Sequence, residues 1–319
     1  MEVATVADPA VSVQGVSKRF RKIRALNSLT FEVQEGEIFG FVGPNGCGKT
    51  TTTRLMLDLY RRDAGEIRVF GLDPAVSFGQ IGPRLGVIFD QHALYDNLTA
   101  EEHLVFWGRL YGASGRKLNQ RCDFLLEAVG LGARRTSLVR TFSKGMRQRL
   151  TFARCLISRP RLVIMDEPFD GIDFETKRHL VELLRSTVDE EGMTTFITSH
   201  NLVDIERLCQ RVAVVRQGAL VACDSTENLR KMTQKRQVLV ITLGEGTRPE
   251  DIDSIVPEGT YDPEARELRV ELAAGNGPPD AVVRRLMDRS ISVRSFREDS
   301  ATLEDIYLSL TGGGKAVCG

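Results

Sequence analysis

The chain has 319 residues, of which 42% are hydrophobic and 27% charged, and its formal net charge is zero. This composition is typical of a globular protein of two domains, and the balanced charge predicts no electrostatic footprint for nucleic acid or for an anionic membrane surface. We find no apolar run of the about 18 residues that span a bilayer, and no basic and apolar leader near the N-terminus, so we expect the protein to remain where it is synthesised.

The N-terminal segment predicts an antiparallel sheet. Val11 to Val16 and Leu29 to Val33 are apolar segments with strand-like alternation. Between them, Lys18 to Arg24 is a short basic cluster, which we interpret as a solvated face, with a binding patch as the alternative. Phe20 lies within this cluster, where a purine ring can stack on it. The alternative for Phe20 is a partly buried aromatic side chain of a loop.

A glycine-rich stretch follows the predicted buried strand Glu37 to Val42 and precedes a helical pattern. It fits the pattern Gly, four residues, Gly-Lys-Thr, in which backbone N–H groups and a helix N-terminus bind phosphate groups. We predict that Lys49 binds the β- and γ-phosphates and that the Thr50 hydroxyl is a ligand of Mg²⁺. The alternative is a turn that binds nothing. The residues of this phosphate loop are Gly43, Pro44, Asn45, Gly46, Cys47, Gly48, Lys49, Thr50 and Thr51.

The six cysteines show no C-x-x-C spacing, which argues against a zinc site or a disulfide framework. Cys47 differs from the others because it lies inside the phosphate loop. We expect its thiol to be open to alkylation when nucleotide is absent.

A helical insert is predicted after two further strands, at Gly65 to Phe70 and Leu85 to Phe89. Thr99 and Glu102 form a capping-box pattern that opens a helix, and a second helix extends from about Leu118 to Val129. The insert separates the phosphate loop from the acidic pair described next, so we interpret it as a subdomain inserted in a nucleotide-binding fold.

The segment Thr141 to Ser158 predicts a helix with Ser143 as its N-cap, and Gly145 permits close approach of a ligand. Taken alone, this pattern is an ordinary capped amphipathic helix. It precedes an apolar strand that ends in Asp166 and Glu167. Beside a phosphate loop, such a pair predicts that Asp166 holds Mg²⁺ through water and that Glu167 orients or deprotonates the attacking water. The alternative is an acidic pair on a surface turn.

Downstream, a helix is predicted after Asp173, and the strand Thr194 to Thr198 brings His200 to the C-terminal edge of the sheet. Ligands bind at this edge in parallel α/β sheets, so we predict that His200 contacts the γ-phosphate. A structural histidine is the alternative. Arg211 to Arg216 and Ala219 to Ala222 predict a terminal hairpin.

From about Met232 the composition shifts, and a small α+β region is predicted. It contains no cluster of residues with obvious chemistry, so we expect a role in interaction or dimer support, or as a stabilising cap. The tail 313–319 is expected to be disordered. The predicted elements are strands at Gln237 to Leu243, Glu267 to Leu272 and Ser292 to Phe296, and helices at Pro279 to Met287 and Thr302 to Leu310.

Together these motifs resemble the ATPase subunit of ATP-binding cassette (ABC) transporters over about residues 10–230. GPNGCGKT is similar to the Walker A motif, FSKGM to the LSGGQ signature, VIMDE to Walker B, FDGID to the D-loop, and TSH to the switch histidine loop. Within the family, FSKGMRQRL, ALYDNLTAEEHL and TLEDIYLSLTG resemble the drug-exporter and ABC-2-type branch.

Three positions depart from the family pattern. Cys47 replaces the commoner Ala, and Met146 ends the signature where Gln is usual. In the Q-loop, Asp90 aligns with the usual glutamine and Gln91 follows one position later. Both Asp90 and Gln91 are therefore candidates for the Q-loop residue that responds to Mg²⁺ and water.

The resemblance implies an α/β fold with a P-loop NTPase core of the ABC ATPase type, an antiparallel β subdomain, an inserted helical subdomain and a small C-terminal α+β domain. The predicted ATP-binding domain covers residues 1–231, with the helical subdomain at about 92–158. The C-terminal accessory domain covers 232–312, and the disordered tail covers 313–319.

The resemblance further implies an ATPase that uses ATP and Mg²⁺, with Glu167, His200 and Lys49 in catalytic roles. Its partner would be a membrane-spanning permease on a separate chain, docked on the segment Gln91 to Leu104. That partner would hold the protein in the cytoplasm, peripheral on the inner face of the cell membrane. Export rather than import rests on the resemblance to the exporter branch.

The resemblance also implies a second copy of the chain in a head-to-tail ATP-sandwich dimer. A helix N-terminus at Ser143 offers N–H donors to an anion, and in this fold it lies far from its own Lys49. Ser143, Gly145 and Asp173 would therefore contact the nucleotide held by the other copy. A homodimer and a heterodimer both remain open.

Two other functional classes are considered. One is a soluble ABC-family ATPase that acts on ribosomes or nucleic acid, but such relatives usually carry two cassettes or long coiled coils. The other is a regulatory module that binds ATP without turnover, which the presence of both Glu167 and His200 argues against.

Overall fold

The computed structural model describes residues 8–89, 93–233, 237–244 and 279–299, together with 247, 252, 254–257, 259–263 and 265–272. The chain divides into two compact units, Met1–Asp224 and Ser225–Gly319. The Q-loop candidates Asp90 and Gln91, the predicted helix at Thr302 to Leu310 and the tail 313–319 lie outside the described residues.

The strands, in chain order, are β1 (Val11–Phe20), β2 (Ile23–Val33), β3 (Ile38–Val42), β4 (Ala64–Val69), β5 (Leu85–Ile88), β6 (Leu162–Asp166), β7 (Thr194–Ser199), β8 (Arg211–Arg216), β9 (Ala219–Ser225), β10 (Gln237–Leu243), β11 (Gly259–Asp262), β12 (Glu267–Leu272) and β13 (Val293–Asp299). The α-helices are α1 (Lys49–Met56), α2 (Pro74–Ile81), α3 (Ala100–Leu110), α4 (Gly115–Ala128), α5 (Lys144–Leu156), α6 (Phe174–Glu191), α7 (Leu202–Leu208), α8 (Thr226–Thr233) and α9 (Pro279–Asp288).

The first unit is built on a sheet with the strand order β5-β6-β7-β3-β8-β9, counted over the described residues. Strands β5, β6, β7, β3 and β8 are parallel to one another. The register pairs Val42 of β3 with Ser199 of β7, and Asp166 of β6 with Thr198 of β7. The loops that follow β3, β6 and β7 therefore leave the sheet at the same edge, and the predicted α/β class is confirmed.

A second, antiparallel sheet with the order β2-β1-β4 packs on the central one. Phe31 of β2 links them, with its ring centroid 5.7 Å from that of Phe39 and 5.3 Å from that of Phe41. Phe196 of β7 completes this buried aromatic cluster at 5.9 Å from Phe31. The predicted antiparallel sheet is confirmed, but its strands are longer than predicted, because the basic segment continues both strands into a hairpin that turns at Arg21 and Lys22.

The insert contains α3, α4 and α5. Thr99 and Glu102 form the predicted capping box, in which the Glu102 amide donates to Thr99 Oγ1 and the Thr99 amide donates to Glu102 Oε2. A Cβ atom on Gly108 would lie 2.2 Å from Leu118 Cδ1, so glycine permits the close approach of α3 and α4. The predicted N-cap of α5 is also confirmed, since Ser143 Oγ accepts a hydrogen bond from the Met146 amide.

The insert also buries His103 of α3 completely, and among the described residues neither ring nitrogen has a hydrogen-bond partner. Burial, together with the positive charge of Arg154 on α5, lowers its pKa to about 4. Because the unfolded chain takes up a proton near pH 6.5 and the folded chain does not, this residue favours folding above pH 6.5 and progressively opposes it from pH 6.5 down to 4.

We therefore expect the free energy of unfolding to fall by about 3 kcal/mol from pH 6.5 to pH 4 through His103 alone. His103→Leu is expected to remove that part of the pH dependence, which urea titrations at several pH values measure. His179→Leu is the control, since its imidazole lies on the exposed face of α6. Equal slopes for the parent protein and His103→Leu would contradict this expectation.

The second unit contains an antiparallel sheet with the order β11-β12-β10-β13 over its described strands. Its core joins Leu239 and Ile241 of β10 to Val270 of β12 and Leu286 of α9. This packing is the ordinary arrangement of a small α+β fold. Among the residues that the structure describes, no helix is both long and apolar enough to cross a membrane.

Candidate functional site

The phosphate loop connects the end of β3 to α1, as the pattern predicts. Gly48 is the N-cap of α1 with φ 109°, in the left-handed region. A Cβ atom there would lie 2.5 Å from Leu26 Cδ2, and a Cβ atom on Gly43 would lie 2.2 Å from the carbonyl oxygen of Val215. The loop is packed so closely against β2 and β8 that glycine is required at both positions.

Lys49 begins α1 and is buried against its own loop. Its Nζ donates to the carbonyl oxygens of Gly43 at 2.8 Å and Pro44 at 3.2 Å. The same Nζ lies 3.2 Å from Glu167 Oε1, in an ion pair across the edge of the sheet. The loop therefore holds an ammonium group at its centre, next to the acidic pair that follows β6. Pro44, Asn45 and Gly46 are exposed at the top of the loop, and Thr51 is half-buried.

Thr50 and Asp166 face the same cavity, whose volume is about 690 Å³. Asp166 is buried at the end of β6, where its Oδ1 accepts a hydrogen bond of 2.6 Å from Thr198 Oγ1. A hydroxyl and a carboxylate are hard oxygen ligands of the kind that Mg²⁺ prefers. The cavity is lined by Thr50, Arg54, Leu59, Tyr60, Phe89, Ala93 and Asp166.

Glu167 and His200 are in direct contact. His200 Nδ1 lies 3.0 Å from Glu167 Oε2, and the backbone N–H of His200 donates to the same oxygen at 3.2 Å. Glu167 has φ 50°, a conformation that costs a non-glycine residue roughly 1–3 kcal/mol and that recurs at active sites. Its amide is held by the carbonyl and hydroxyl oxygens of Thr198, both at 3.2 Å. The sheet thus brings Lys49, Glu167 and His200 together.

Ser143 and Gly145 lie elsewhere, at the N-terminus of α5. A Cβ atom on Gly145 would lie 3.6 Å from Asp173 Oδ2, so this helix start faces the D-loop (Phe169–Asp173) of its own chain. Asp173 caps α6 by accepting from the Thr176 amide at 2.9 Å, a bond that lowers the pKa of its carboxyl group. Over the described residues, the polar contacts of Lys49 include neither Ser143 nor Gly145. One chain therefore presents two separate parts of the predicted site.

Phe20 ends β1 and is 37% exposed. Its ring centroid lies 5.2 Å from that of Tyr60 in an edge-to-face contact, and Tyr60 lines the cavity that contains Thr50. The Tyr60 hydroxyl accepts a hydrogen bond of 2.6 Å from Arg54 Nη1. Stacking of a purine on Phe20 stays a prediction, and its ring is accessible for that contact.

The expectation of an open thiol at Cys47 is wrong. Its side chain is 2% exposed and belongs to the hydrophobic core, because it points away from the loop toward the sheet. Burial raises the pKa of the thiol above its usual value, which further reduces the thiolate fraction.

Two residues that the sequence did not single out support the site. Thr198 holds both acidic residues, through Asp166 Oδ1 and the Glu167 amide. Gln148 of α5 is buried and donates from Nε2 to the carbonyl oxygen of Pro168 at 2.6 Å. This hydrogen bond connects α5 to the turn that follows Glu167. For Thr198, the sequence signal was its position near the end of a predicted strand, two residues before His200.

Comparison with known proteins gives a consistent result. The family model described as "ABC transporter" matches residues 26–170. The linearmycin resistance ATP-binding protein LnrL of Bacillus subtilis (strain 168) is 30% identical over 95% of this chain and 98% of that protein. The daunorubicin/doxorubicin resistance ATP-binding protein DrrA of Streptomyces peucetius is 31% identical over 95% of this chain and 92% of that protein.

Among solved structures, one described as "Structure of ATP binding subunit of ABC transporter" superposes with a TM-score of 0.65 at 28% sequence identity. The match covers 70% of this chain and 93% of that chain. The similarity to LnrL and DrrA extends over nearly the whole chain, whereas this structural match covers a smaller share of it.

Proposed function

The chain belongs to the ABC transporter family, as an ATP-binding subunit that hydrolyses ATP, and on this premise we propose that it drives a drug exporter of the ABC-2 type. The observation that supports ATP hydrolysis as its energy source is the meeting of Lys49, Glu167 and His200 at one edge of the parallel sheet. The names of LnrL and DrrA, which refer to resistance to linearmycin and to daunorubicin and doxorubicin, support export.

In the proposed mechanism, Lys49 exchanges its contacts with Glu167 and the loop carbonyls for the β- and γ-phosphate oxygens of ATP. The backbone of the phosphate loop and the N-terminus of α1 bind the same phosphates, and Phe20 stacks on the purine. Glu167, released from Lys49, accepts a proton from the attacking water. His200, already within hydrogen-bond distance of Glu167 Oε2, holds that carboxylate and contacts the γ-phosphate.

Thr50 and Asp166 are the residues that would hold Mg²⁺, Asp166 through water. Bound there, the ion would neutralise charge on the phosphate oxygens. No group of three or more His, Cys, Asp or Glu residues suited to a metal is found within the described ranges, so phosphate and water oxygens are needed to complete the coordination. The buried Asp166, kept in place by Thr198, suits a site of this kind.

We also propose that two copies of the chain close on ATP. Because the N-terminus of α5 is the positive end of the helix dipole, it can bind an anion, but its contacts lie apart from those of its own Lys49. In a symmetric dimer, Ser143 and Gly145 of one copy would face the γ-phosphate held by the other, with Asp173 beside it. Hydrolysis removes the bridging phosphate, so the dimer would open.

The membrane partner is proposed to be a permease on a separate chain, with the segment Gln91 to Leu104 as its docking surface and the protein peripheral on the cytoplasmic face of the membrane. Of the site residues, Asp90 and Gln91 stay equal candidates for the Q-loop role. We retain the predicted domain limits in this proposal. They are 1–231 for the ATP-binding domain, with the helical subdomain at about 92–158, then 232–312 for the C-terminal accessory domain and 313–319 for the tail.

Affinity purification of the full chain from detergent-solubilised membranes tests this proposal. A polytopic membrane protein should copurify and stimulate ATP hydrolysis when both are reconstituted in liposomes. The matched control is Lys49→Ala, which should copurify without hydrolysis. Copurification with ribosomes in place of a membrane protein would favour the soluble ATPase, which the names of the described relatives do not support.

A further inference from the structure

The basic cluster Lys18 to Arg24 forms the outer end of the β1–β2 hairpin and has no part in the proposed reaction apart from Phe20. Arg19 and Arg24 are paired directly across the two antiparallel strands. Like charges in directly opposed positions destabilise a sheet. The hairpin therefore carries a repulsion that a bound anion would relieve.

Little acidic charge is available to balance these residues. Asp63 accepts from Lys18 Nζ at 2.9 Å and from the Arg19 amide at 2.6 Å. Within the part of the chain that the structure describes, the side chains of Arg19, Lys22 and Arg24 form no ion pair. All three are exposed, so their positive charge faces solvent.

The side chains of the cluster also line a concave surface. A groove of about 470 Å³ is lined by Ser17, Lys18, Arg19, Lys22, Arg24 and Asp63. At the turn, Arg21 adopts φ 51°, a conformation that glycine or asparagine adopts more readily. Arg21 therefore places a cation at the tip of the hairpin even though its backbone conformation is unfavourable for arginine.

One strongly exposed apolar side chain, that of Ile23, accompanies the cations at the tip. Ile23 is 72% exposed and lies directly opposite Phe20, which is 37% exposed. Exposed cations beside an exposed apolar side chain suit an anionic lipid surface, because the cations approach the headgroups while Ile23 enters the interface and Phe20 remains with the purine. A free phosphate ion would leave Ile23 unused.

We propose that the tip of the β1–β2 hairpin binds the anionic headgroups of a membrane surface. This inference goes beyond the proposed function, since it gives the chain a lipid contact of its own, independent of a permease. The contact is electrostatic in large part, so it weakens as the ionic strength rises.

Cosedimentation of the full chain with vesicles tests the inference. Vesicles of phosphatidylcholine with about one third phosphatidylglycerol should bind the protein, and phosphatidylcholine alone should not. The combined change Arg19→Gln, Lys22→Gln and Arg24→Gln should lower the partition coefficient about a hundredfold, since each cation near an anionic surface contributes roughly a factor of five. Ile23→Ser should lower it several-fold.

The matched control removes three exposed cations of the insert, Arg109, Arg116 and Lys117, by substitution with Gln. It should bind acidic vesicles as the parent protein does, and the hairpin variant should hydrolyse ATP in solution at the parent rate. Lipid binding and ATP hydrolysis are measured separately, so a failure of this inference leaves the proposed ATPase mechanism intact, and the converse also holds.

Three results would overturn the assignment. The first is equal binding of acidic vesicles by the parent and the hairpin variant. The second is parent protein that binds no acidic vesicles even at low salt. The third is parent protein that binds inorganic phosphate or a homopolymeric RNA through these residues but ignores the vesicles, which would identify a different anionic ligand.

Discussion

Glu167→Gln is expected to lower the steady-state rate of ATP hydrolysis by about 10²- to 10⁴-fold while ATP binding is unchanged or tighter. Glutamine keeps the shape of the side chain but cannot accept the proton of the attacking water. It also removes the negative charge that lies 3.2 Å from Lys49 Nζ, which frees the ammonium group for phosphate. Phosphate release measures turnover, and fluorescence titration with a labelled ATP analogue measures affinity.

The control for this substitution is Glu190→Gln, which changes an exposed carboxylate near the end of α6. It should hydrolyse ATP at the parent rate. With ATP and Glu167→Gln, size-exclusion chromatography should show a long-lived dimer, because the bridging γ-phosphate is retained. Turnover at the parent level in Glu167→Gln would refute the assignment of Glu167 as the catalytic base.

A mixture of two inactive variants is expected to recover activity if the site is shared between copies. Lys49→Ala removes the phosphate-loop cation, and Gly145→Asp places a carboxylate at the start of α5, where the γ-phosphate is proposed to bind. A mixed dimer has one intact site, formed by Lys49 of one copy and Gly145 of the other. When equal amounts of the two variants pair at random, about half of the dimers are mixed, and each mixed dimer has one intact site of two. The rate of ATP hydrolysis should therefore be about a quarter of the parent rate.

The companion mixture of Lys49→Ala and Glu167→Gln should stay inactive. Lys49 and Glu167 serve the same site from the same copy, as their ion pair indicates, so no mixed dimer contains an intact pair. The two mixtures are compared at equal protein concentration, with phosphate release as the readout. Recovery in both, or in neither, would contradict a site composed of Lys49 from one chain and Gly145 from the other.

Several elements were predictable because their signals are local. The phosphate loop lies between β3 and α1 as its spacing predicts, and the caps at Thr99 and Ser143 form with neighbours three residues away. Each of these features depends on hydrogen bonds within one short segment, which the residue types there are sufficient to specify.

Other elements were not predicted because tertiary contacts decide them. The helices α2 and α7 have only 8 and 7 residues, and helices of this length are not stable in isolation. The basic segment Lys18 to Arg24 was not predicted to belong to a strand, yet pairing with β2 extends β1 to Phe20. Cys47 was expected to be accessible, but the direction of its side chain depends on packing against the sheet rather than on the loop motif.

The sequence by itself determined the chemistry of this protein: a glycine-rich phosphate loop, an acidic pair at the end of a strand and a histidine after the next strand, each recognisable from adjacent residues. Only the tertiary structure decided that β7 lies between β6 and β3, and thereby that Lys49, Glu167 and His200 come into contact. The physical reason is that strand order depends on the burial of apolar faces distant in sequence, whereas a motif depends on its own backbone.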